Sequence, residues 1–445
     1  MTESAPQMVN GYDGSRAAEL PPATRELIAR RDRALGGAYR LFYDQPVSFV
    51  MGSGVFLYDA DGNAYLDAYN NVPAVGHSHP HVTETVAKQL GTLNTHTRYL
   101  TDGVVAYAER LLATHNVGSA GPGAPDAAAQ AMFTCTGSEA NDLALRIARH
   151  YTGATGVIVT ANAYHGVTAA VAELSPSLGQ GVPLGSHVRV VPAPAPGVNF
   201  TAAVAWAISD LQRHGLRLAA FLADSLFSSD GVFPDPAGFL APITEIVHAA
   251  GGLYIADEVQ SGFGRTGTHM WGYQRHGIAP DIVTMGKPMG NGLPIAGLVA
   301  RSDVIESFGR QARYFNTFGG NPVCVAAASA VLDVLETEGL PANAAATGAY
   351  LKDAATRLAD LSPVLGDIRG AGLYLGIDVI APGTPGEPSG KLAAAIVNGM
   401  RDRRVLISAT GPQGNVLKVR PPLPFAREHA DQFLTALQET VEAVH

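Results

Sequence analysis

Short apolar runs alternate with amphipathic segments through the middle of the chain. Seven runs predict buried strands, because each is apolar, short and bounded by turn residues: Met132–Thr134, Val157–Thr160, Val188–Val191, Leu218–Ala223, Leu253–Ala256, Ile282–Met285 and Ile295–Val299. The segments between them place apolar residues on one helical face and predict helices over Glu139–Tyr151, Ala202–His214 and Leu240–Ala250. Alternating strands and helices are typical of a mostly parallel α/β sheet flanked by helices.

The patterns on either side of this region are different. Val55–Tyr58 and Ala64–Asp67 flank Asp61-Gly62, which predicts a hairpin. Gly118–Ala129, rich in Gly, Pro and Ala, predicts a loop insertion. Beyond Pro322 the patterns predict helices over Val323–Leu335 and Leu340–Leu361 and a strand over Leu373–Val379, followed at the end of the chain by a strand, a proline pair and a helix from about Glu428. We therefore predict an N-terminal arm and joining segment (1–67), a large domain (68–325) and a C-terminal part (326–445), with a smaller α+β domain built from both chain ends.

Length and composition narrow the class of protein. A chain of 445 residues with 47% apolar and 16% charged residues predicts a globular protein of two or more domains. The net charge of −9 argues against nucleic acid or an anionic membrane as a partner, and no apolar stretch is long enough to predict a transmembrane helix. Two cysteines and no apparent secretory signal indicate a reducing compartment, so we expect a cytoplasmic protein.

Two predicted strands end in side chains of opposite charge. Asp257 closes the run Leu253–Ala256, and Lys287 follows the run Ile282–Met285. In open α/β sheets, ligands bind outside the carboxyl ends of the strands. A carboxylate and an amine at that edge suit a cofactor with a basic ring nitrogen and an aldehyde, and pyridoxal phosphate has both.

A third candidate feature is the segment Thr136-Gly137-Ser138, which follows one predicted strand and begins a predicted helix. Free backbone N–H groups and the helix dipole favour an anion at a helix N-terminus, and a glycine allows it to come close. We assign the cofactor phosphate to this turn. Ser138 is also an ordinary N-cap residue type, so the segment alone would be a weak signal.

The segment Asp257–Gly267 resembles the most recognisable stretch of the class III aminotransferases, which are pyridoxal-phosphate enzymes of fold type I. Gly286-Lys287 and Asn316–Pro322 match the same family in the same order. The resemblance extends from about Tyr39 to Pro422. It implies a large domain with a mostly parallel seven-stranded sheet, and a cofactor, pyridoxal 5′-phosphate.

The resemblance also implies a role for each site residue. Lys287 would form the Schiff base and then move the substrate proton as a free amine, and Asp257 would keep the ring nitrogen protonated. Gln260 would bind the ring hydroxyl and Tyr164 would stack on the ring. The complete predicted cofactor-binding set is Thr136, Gly137, Ser138, Tyr164, Asp224, Asp257, Gln260, Lys287 and Thr317. Thr317 would reach the phosphate of a neighbouring subunit, which implies a homodimer.

Other candidates are interpreted as structural. Glu258 is expected to support the fold. His77 and His79 have a spacing that metal ligands can have, but no third ligand is obvious, so we expect no metal and a loop or helix-start role for these histidines.

The chain departs from the family at the substrate side. Several aminotransferases pair an acid at the position of Ser229 with an arginine at that of Lys418, and the arginine binds the carboxylate of 2-oxoglutarate. The leading hypothesis is amino transfer from an amine or amino acid to an oxo acid such as pyruvate. The alternative is elimination of phosphate from a phosphoethanolamine-like amine, because Asn70-Asn71-Val72 and residues 93–100 resemble the phospho-lyase branch of the family; Lys418 and Arg420 are candidates to bind the acidic group.

Overall fold

The computed structural model describes residue 8 and residues 10–117, 129–384 and 386–444. The predicted loop insertion at 118–129 therefore lies outside the described residues except for Ala129. The strands are β1 Phe49–Ser53, β2 Phe56–Asp59, β3 Ala64–Asp67, β4 Ala129–Thr134, β5 Gly156–Thr160, β6 Val188–Val191, β7 Leu218–Asp224, β8 Leu253–Asp257, β9 Ile282–Met285, β10 Ala296–Arg301, β11 Leu365–Gly370, β12 Leu375–Val379, β13 Val405–Leu406, β14 Ser408–Thr410 and β15 Val416–Val419. The helices are α1 Pro22–Leu35, α2 Pro80–Leu90, α3 Asp102–Leu112, α4 Gly137–Thr152, α5 Ala169–Ala172, α6 Phe200–Arg213, α7 Ala241–Ala249, α8 Ser302–Gln311, α9 Pro322–Thr337, α10 Leu340–Asp360, α11 Gly390–Asp402 and α12 Arg427–Val444.

A central sheet of seven strands has the order β4-β10-β9-β8-β7-β5-β6. The strands from β9 to β6 are parallel, and β10 is antiparallel to both of its neighbours. All seven strands predicted from apolar runs are present, which confirms the mostly parallel α/β sheet. The inner strands are buried on both faces, for example β5 and β8 over their whole length, which is why they are apolar without alternation.

The sheet brings the predicted site residues to one edge. Asp224 at the end of β7 pairs in register with Asp257 at the end of β8, and Asp257 pairs with Thr284 of β9. Because β4 and β9 are both antiparallel to β10, β4 runs parallel to β9 and also ends at this edge. The N-terminus of α4, which follows β4 at Gly137, therefore lies beside the ends of β8 and β9.

Two four-stranded sheets lie outside the central one, with the orders β1-β2-β3-β13 and β11-β12-β15-β14. The predicted hairpin is confirmed as β2 and β3, and β3 pairs in parallel with β13 near the other end of the chain. Asn10 is buried and accepts a hydrogen bond of 3.0 Å from Ser408 Oγ. These contacts join both chain ends in the smaller sheet region, as predicted, while the proposed domain boundaries at residues 67 and 325 stay a prediction.

One strand of the C-terminal part, β11, was not predicted from the sequence. The predicted strand Leu373–Val379 is β12, but β11 precedes it and pairs with it in antiparallel register. Two glycines, Gly366 and Gly370, and the charged residues Asp367 and Arg369 obscure the apolar alternation of β11. In the part of the chain that the structure describes, no helix is long and apolar enough to cross a membrane.

Candidate active site

A cavity of about 330 Å³ lies at the carboxyl edge of the central sheet. This volume is at the lower end of the range typical of small-molecule sites, about 300–1,000 Å³. Every predicted cofactor-binding residue lines it except Thr317: Thr136, Gly137, Ser138, Tyr164, Asp224, Asp257, Gln260 and Lys287. The topology thus brings together residues from five separate stretches of the chain.

The Asp257 carboxylate is buried at the end of β8 and accepts three hydrogen bonds. Its Oδ2 atom accepts hydrogen bonds from Asn141 Nδ2 at 2.9 Å and His165 Nδ1 at 2.8 Å, and Oδ1 accepts from the Val259 N–H at 3.1 Å. Burial alone would raise the pKa of Asp257, but the interactions with His165, Asn141 and Lys287 outweigh it and hold the pKa below its ordinary value. The site therefore contains a carboxylate that remains ionised although it is buried.

Lys287 begins a short 3₁₀ turn immediately after β9 and Gly286. Its φ angle is 25°, a left-handed conformation that is uncommon for residues other than glycine and that occurs often at functional sites. Burial, reinforced by the charge of Arg420, lowers the pKa of Lys287 to about 8, against the opposing effect of Asp257 and Asp224. Near neutral pH a useful fraction of this amine is therefore unprotonated and able to act as a nucleophile or base.

The turn that begins α4 is shaped for an anion. Thr136 caps the helix through a capping box, in which Thr136 Oγ1 accepts from the Glu139 N–H and Glu139 Oε2 accepts from the Thr136 N–H, both at 3.2 Å. The next N–H groups, of Gly137 and Ser138, lie in the first helical turn, where no intrahelical acceptor exists. These two donors at the positive end of the helix dipole suit a phosphate.

A glycine across the cavity lets this turn approach the loop after β5. Gly166 has a φ angle of 133°, and a Cβ atom there would lie 2.5 Å from Ser138 Oγ. Ser138 Oγ accepts a hydrogen bond of 3.1 Å from the N–H of Val167. The serine hydroxyl therefore also holds the loop that carries Tyr164, which lines the cavity and is 40% exposed.

Gln260 and Asp224 complete the predicted set on the other side of the cavity. Gln260 Oε1 accepts hydrogen bonds from Arg420 Nη1 at 2.6 Å and Tyr374 OH at 3.1 Å. Asp224 accepts from the N–H groups of Leu226 and Ser228, each at 2.9 Å. Burial and the nearby Asp257 charge raise the pKa of Asp224 despite these hydrogen bonds. Two neighbouring carboxyls of the same edge thus have pKa values shifted in opposite directions.

Sequence reasoning missed Asn141 and His165 as site residues. Asn141 joins three elements, because its Nδ2 atom also donates to the His165 carbonyl at 2.8 Å and its Oδ1 atom accepts from Thr284 Oγ1 at 2.6 Å. Both residues lie close in the chain to predicted site residues, because Asn141 is three positions after Ser138 and His165 directly follows Tyr164. A polar side chain one helical turn after the anion site, facing a strand-end aspartate, is the signal that could have identified Asn141.

The residues present fit pyridoxal phosphate. The ionised Asp257 suits a protonated ring nitrogen, Lys287 offers an amine of lowered pKa for the aldehyde, and the α4 turn offers donors for the phosphate. Gly137 and Gly166 keep the cavity open at that turn: a Cβ atom at Gly137 would lie 3.0 Å from a Val259 methyl group.

Thr317 lies outside the cavity, exposed in the loop between α8 and α9. The preceding residue, Asn316, organises this loop: its Oδ1 atom accepts from the N–H groups of Phe318 at 3.2 Å and Gly319 at 2.9 Å. Cys135 Sγ lies 3.7 Å from the same oxygen. The loop is therefore next to the α4 turn of its own chain, while the Thr317 side chain is at the surface.

The positions that depart from the family lie on the small-domain side. Lys418 on β15 is half-buried, and burial, followed by the charges of Arg420 and Lys287, lowers its pKa well below the ordinary value, with Asp224 opposing. No ion pair with Lys418 occurs among the described residues. Ser229 contributes its carbonyl oxygen, which accepts from the Gly411 N–H at 3.3 Å, and its side chain has no charge to offer Lys418.

The residues assigned to structure have structural contacts. Glu258 is buried and accepts from Ser225 Oγ, Ser261 Oγ and two backbone N–H groups, at 2.5 to 2.8 Å. His77 contacts Asp67 at 2.8 Å, and His79, the residue before α2, contacts Glu338 at 2.9 Å. Across the described ranges no group of three or more potential metal ligands occurs.

Comparison with known proteins gives concordant similarities. Residues 43–441 match the family model described as aminotransferase class-III. The alanine–glyoxylate aminotransferase 2-like protein of Drosophila melanogaster is 39% identical over 94% of this chain and 87% of its own length. The ethanolamine-phosphate phospho-lyase homolog 1 of Caenorhabditis elegans is 36% identical over 94% and 93%. A phospholyase from Arthrobacter, solved in complex with phosphoethanolamine, is 46% identical, covers 94% of this chain and 99% of its own, and superposes with a TM-score of 0.88.

The ionised carboxylate at the end of β8 leads to a testable prediction. Asp257→Asn keeps the shape of the side chain but removes the charge that faces the cavity. We expect the variant to retain cofactor and to turn over an amine substrate at least about a hundredfold more slowly, the scale of losing one electrostatic partner in a transition state. Steady-state kinetics with measured cofactor content tests this.

Glu258→Gln is the matched control, because Glu258 is the adjacent buried carboxyl and does not line the cavity. It should lower thermal stability while the folded protein keeps its turnover within a few-fold. An Asp257→Asn rate close to that of the wild type would show that the charge has another purpose.

Proposed function

Because the chain belongs to the class III aminotransferase family, whose transaminases depend on pyridoxal 5′-phosphate, we propose that it eliminates phosphate from a phosphoethanolamine-like amine. Amino transfer to an oxo acid is the second candidate. The observation that carries the proposal is Lys418, a half-buried lysine close enough to Lys287 for their charges to repel, at the position where the resemblance places an acid-paired arginine. The similarity to the Arthrobacter phospholyase supports it.

The cofactor is pyridoxal 5′-phosphate, and when bound it supplies a sink for the electrons left on the substrate carbon when a proton departs. In the proposed arrangement the N–H groups of Gly137 and Ser138 bind its phosphate. Asp257 would keep a positive charge on the ring nitrogen, Gln260 would donate to the ring hydroxyl, and Asp224 and Tyr164 would line the ring. Asn141 and His165 hold the Asp257 carboxylate in place.

Lys287 performs the proton transfer in this proposal. Its amine would hold the cofactor aldehyde in the resting enzyme and would be free once a substrate amine is bound. The released Nζ atom then removes a proton from the substrate carbon, which its lowered pKa favours near neutral pH. This step is common to both candidate reactions. They diverge when phosphate departs from the neighbouring carbon, or when the proton is instead returned on the way to amino transfer.

The charge pattern around Lys418 favours a phosphate substrate. An arginine binds a carboxylate through a two-pronged fork, whereas a lysine acts as a compact point charge. A phosphate dianion suits such a charge and can be bound by a lysine. Because Ser229 offers no carboxylate, the Lys418 ammonium is not neutralised from that side. Binding of a dianion would raise the lowered pKa of Lys418 and favour its charged form.

Amino transfer remains the second candidate because of a specific similarity. The Drosophila relative with an aminotransferase name is 39% identical over nearly the whole chain. The same lysine and carboxylate serve that reaction. In that case the substrate pocket would bind an oxo acid such as pyruvate without an acid–arginine pair, and Lys418 would contact its carboxylate.

The proposal includes a homodimer in which Thr317 completes the neighbour's phosphate site. Thr317 is exposed in the segment 315–318, which contacts residues 93–100: the Arg98 guanidinium lies over the Phe315 ring at 3.7 Å, and His96 contacts the same ring edge-on. Several apolar and aromatic side chains of both segments are exposed. Leu100 is fully exposed, Phe318 is 69% exposed, and His96 stacks on Tyr99 at 4.9 Å. Contiguous exposed apolar surface of this kind marks interaction sites. The two free cysteines, Cys135 and Cys324, support the proposal of a cytoplasmic location.

The proposed reaction leads to a prediction about phosphate release. Wild-type protein should release inorganic phosphate from phosphoethanolamine with no oxo acid present. Lys418→Met should raise KM for phosphoethanolamine roughly tenfold or more, the scale of losing a hydrogen bond to a charged group. Lys391→Met, an exposed lysine on α11, is the matched control and should behave as wild type.

A parallel assay with pyruvate separates the two candidates. Amine-dependent alanine formation without phosphate release would overturn the phospho-lyase proposal in favour of amino transfer. If Lys418→Met leaves both reactions unchanged, Lys418 does not contact the substrate.

The second prediction concerns assembly. Lys287→Ala and Thr317→Ala subunits, each carrying a different affinity tag, should be combined into purified mixed dimers. One of the two sites then contains both Lys287 and Thr317, so activity should exceed that of either parent dimer. Thr317→Ala alone should weaken cofactor binding about tenfold.

Restoration of activity in the mixed dimers requires that Thr317 acts across the interface. No gain over the parents would show that Thr317 serves its own subunit or neither. A fully active monomer in light scattering at assay concentration would refute the dimer itself.

A further inference from the structure

Arg420 is a buried arginine on the loop that follows β15, next to the cofactor cavity but not part of its lining. Its Nη1 atom donates to Asn71 Oδ1 at 2.7 Å and to Gln260 Oε1 at 2.6 Å. The guanidinium stacks on the Tyr69 ring at 4.5 Å. One side chain therefore connects the segment before the cavity, Tyr69–Val72, with the residue assigned to the ring hydroxyl.

The contact with Gln260 determines which way its amide points. A guanidinium can only donate hydrogen bonds, so the group that faces Arg420 must be the carbonyl oxygen. Tyr374 OH donates to the same oxygen at 3.1 Å. The Gln260 NH₂ group is therefore turned away from both and is the donor that remains for the cavity, which Gln260 lines.

Arg420 has no ion-pair partner among the described residues, although it is buried. Its Nη1 acceptors are two neutral amides, and the buried Asp67 carboxylate stabilises its charge without forming an ion pair with it. The charge also acts on other neighbours, because the protein interior screens charges poorly. Burial is the largest cause that lowers the pKa values of Lys287, Lys418 and Arg265, and the Arg420 charge is the second largest. Together with the smaller effects they give pKa values of about 8 for Lys287 and about 9 for Arg265.

Two buried hydrogen-bond donors near Arg420 are unpaired among the described residues. Arg420 Nε and Asn71 Nδ2 have no hydrogen-bond partner within the described ranges. A well-packed structural arginine normally satisfies its donors, because an unpaired buried polar group costs about 1–3 kcal/mol. Stability alone therefore does not explain a buried arginine with an unpaired donor at this position.

We propose that Arg420 is a positioning residue of the active site, which orients the Gln260 amide toward the cofactor and sets the electrostatic environment of Lys287. This role rests on the proposed placement of the cofactor against Gln260 and Lys287. It is the same whether the enzyme eliminates phosphate or transfers an amino group. The two effects arise from one side chain: its donors orient Gln260, and its charge acts on the lysine.

The charges that face Lys287 come from three strand ends. Asp257 and Asp224 lie at the ends of β8 and β7 and favour its protonated form, while Arg420 and Lys418 on or after β15 disfavour it. His165 acts indirectly, through Asp257. Removing the Arg420 charge leaves the two carboxylates less opposed, so the Lys287 amine should hold its proton to a higher pH.

The test uses cofactor-free protein, so its outcome does not depend on the reaction. The rate of Lys287 modification by an amine-reactive acylating reagent is measured against pH by mass spectrometry of the peptide that contains Lys287. The wild-type half-point is expected near pH 8. Arg420→Met should move it upward by about one pH unit or more, about a tenfold change in the neutral fraction. Arg420→Lys should keep it within half a unit.

A second variant keeps the test decisive if Arg420→Met does not fold. Asn71→Asp has the same shape, removes the unpartnered Nδ2 donor and places a carboxylate against Arg420 Nη1. It should therefore fold and also move the Lys287 half-point upward. An unchanged half-point in folded Asn71→Asp, or in folded Arg420→Met, would overturn the electrostatic part of the proposal.

Cofactor titration tests the orienting part. Arg420→Lys keeps the charge but lacks the geometry to bind Asn71 and Gln260 together, so pyridoxal phosphate should bind about tenfold more weakly than to wild type. Gln260→Leu should weaken binding by a similar factor, and the double variant should be no weaker than either single one. Additive losses in the double variant, or wild-type affinity in Arg420→Lys, would contradict an action through Gln260.

Discussion

The buried, ionised carboxylate of Asp257 is the constraint around which the site is arranged. An isolated carboxylate at this depth would take up a proton, because burial disfavours the charged form. It stays ionised since Asn141 on α4, His165 after β5 and the N–H of Val259 all donate to it. The register of β7, β8 and β9 and the start of α4 at the same edge are what allow those donors to converge. The sheet order therefore has a direct chemical consequence.

The remaining charges form a balance between two carboxyls and three cations. Asp224 and Asp257 adjoin in register, while Lys287, Lys418 and Arg420 approach from β9 and β15. Each lysine is less basic than usual because it is buried and faces Arg420. In the proposed function, these basic groups bind an anionic substrate and the Lys287 amine transfers its proton, as a reaction on a phosphorylated amine requires. The same balance serves amino transfer to a carboxylate acceptor.

Much of this could be predicted from the sequence. Five of the seven apolar runs lie on inner strands, whose burial on both faces makes them visible, and the other two form the edge strands β4 and β6. Asp257 and Lys287 stand at strand ends, where ligands are expected. Asn141 and His165 were missed because their importance lies in contacts 116 and 92 residues away. The three-dimensional contacts also separate Lys418 from Arg420. Within the described ranges the Lys418 side chain has no hydrogen-bond or ion-pair partner, whereas Arg420 donates to Asn71 and Gln260. β11 was missed because its glycines and charges obscure the strand period.

The central claim is that Lys287 carries the cofactor beside Asp257. It is tested most directly by reducing the protein with borohydride in the presence of pyridoxal phosphate and mapping the labelled peptide by mass spectrometry. The account predicts a stable pyridoxyl group on Lys287, and loss of that label in Lys287→Ala while the protein remains folded. A label on another lysine, or an undiminished label in Lys287→Ala, would contradict it.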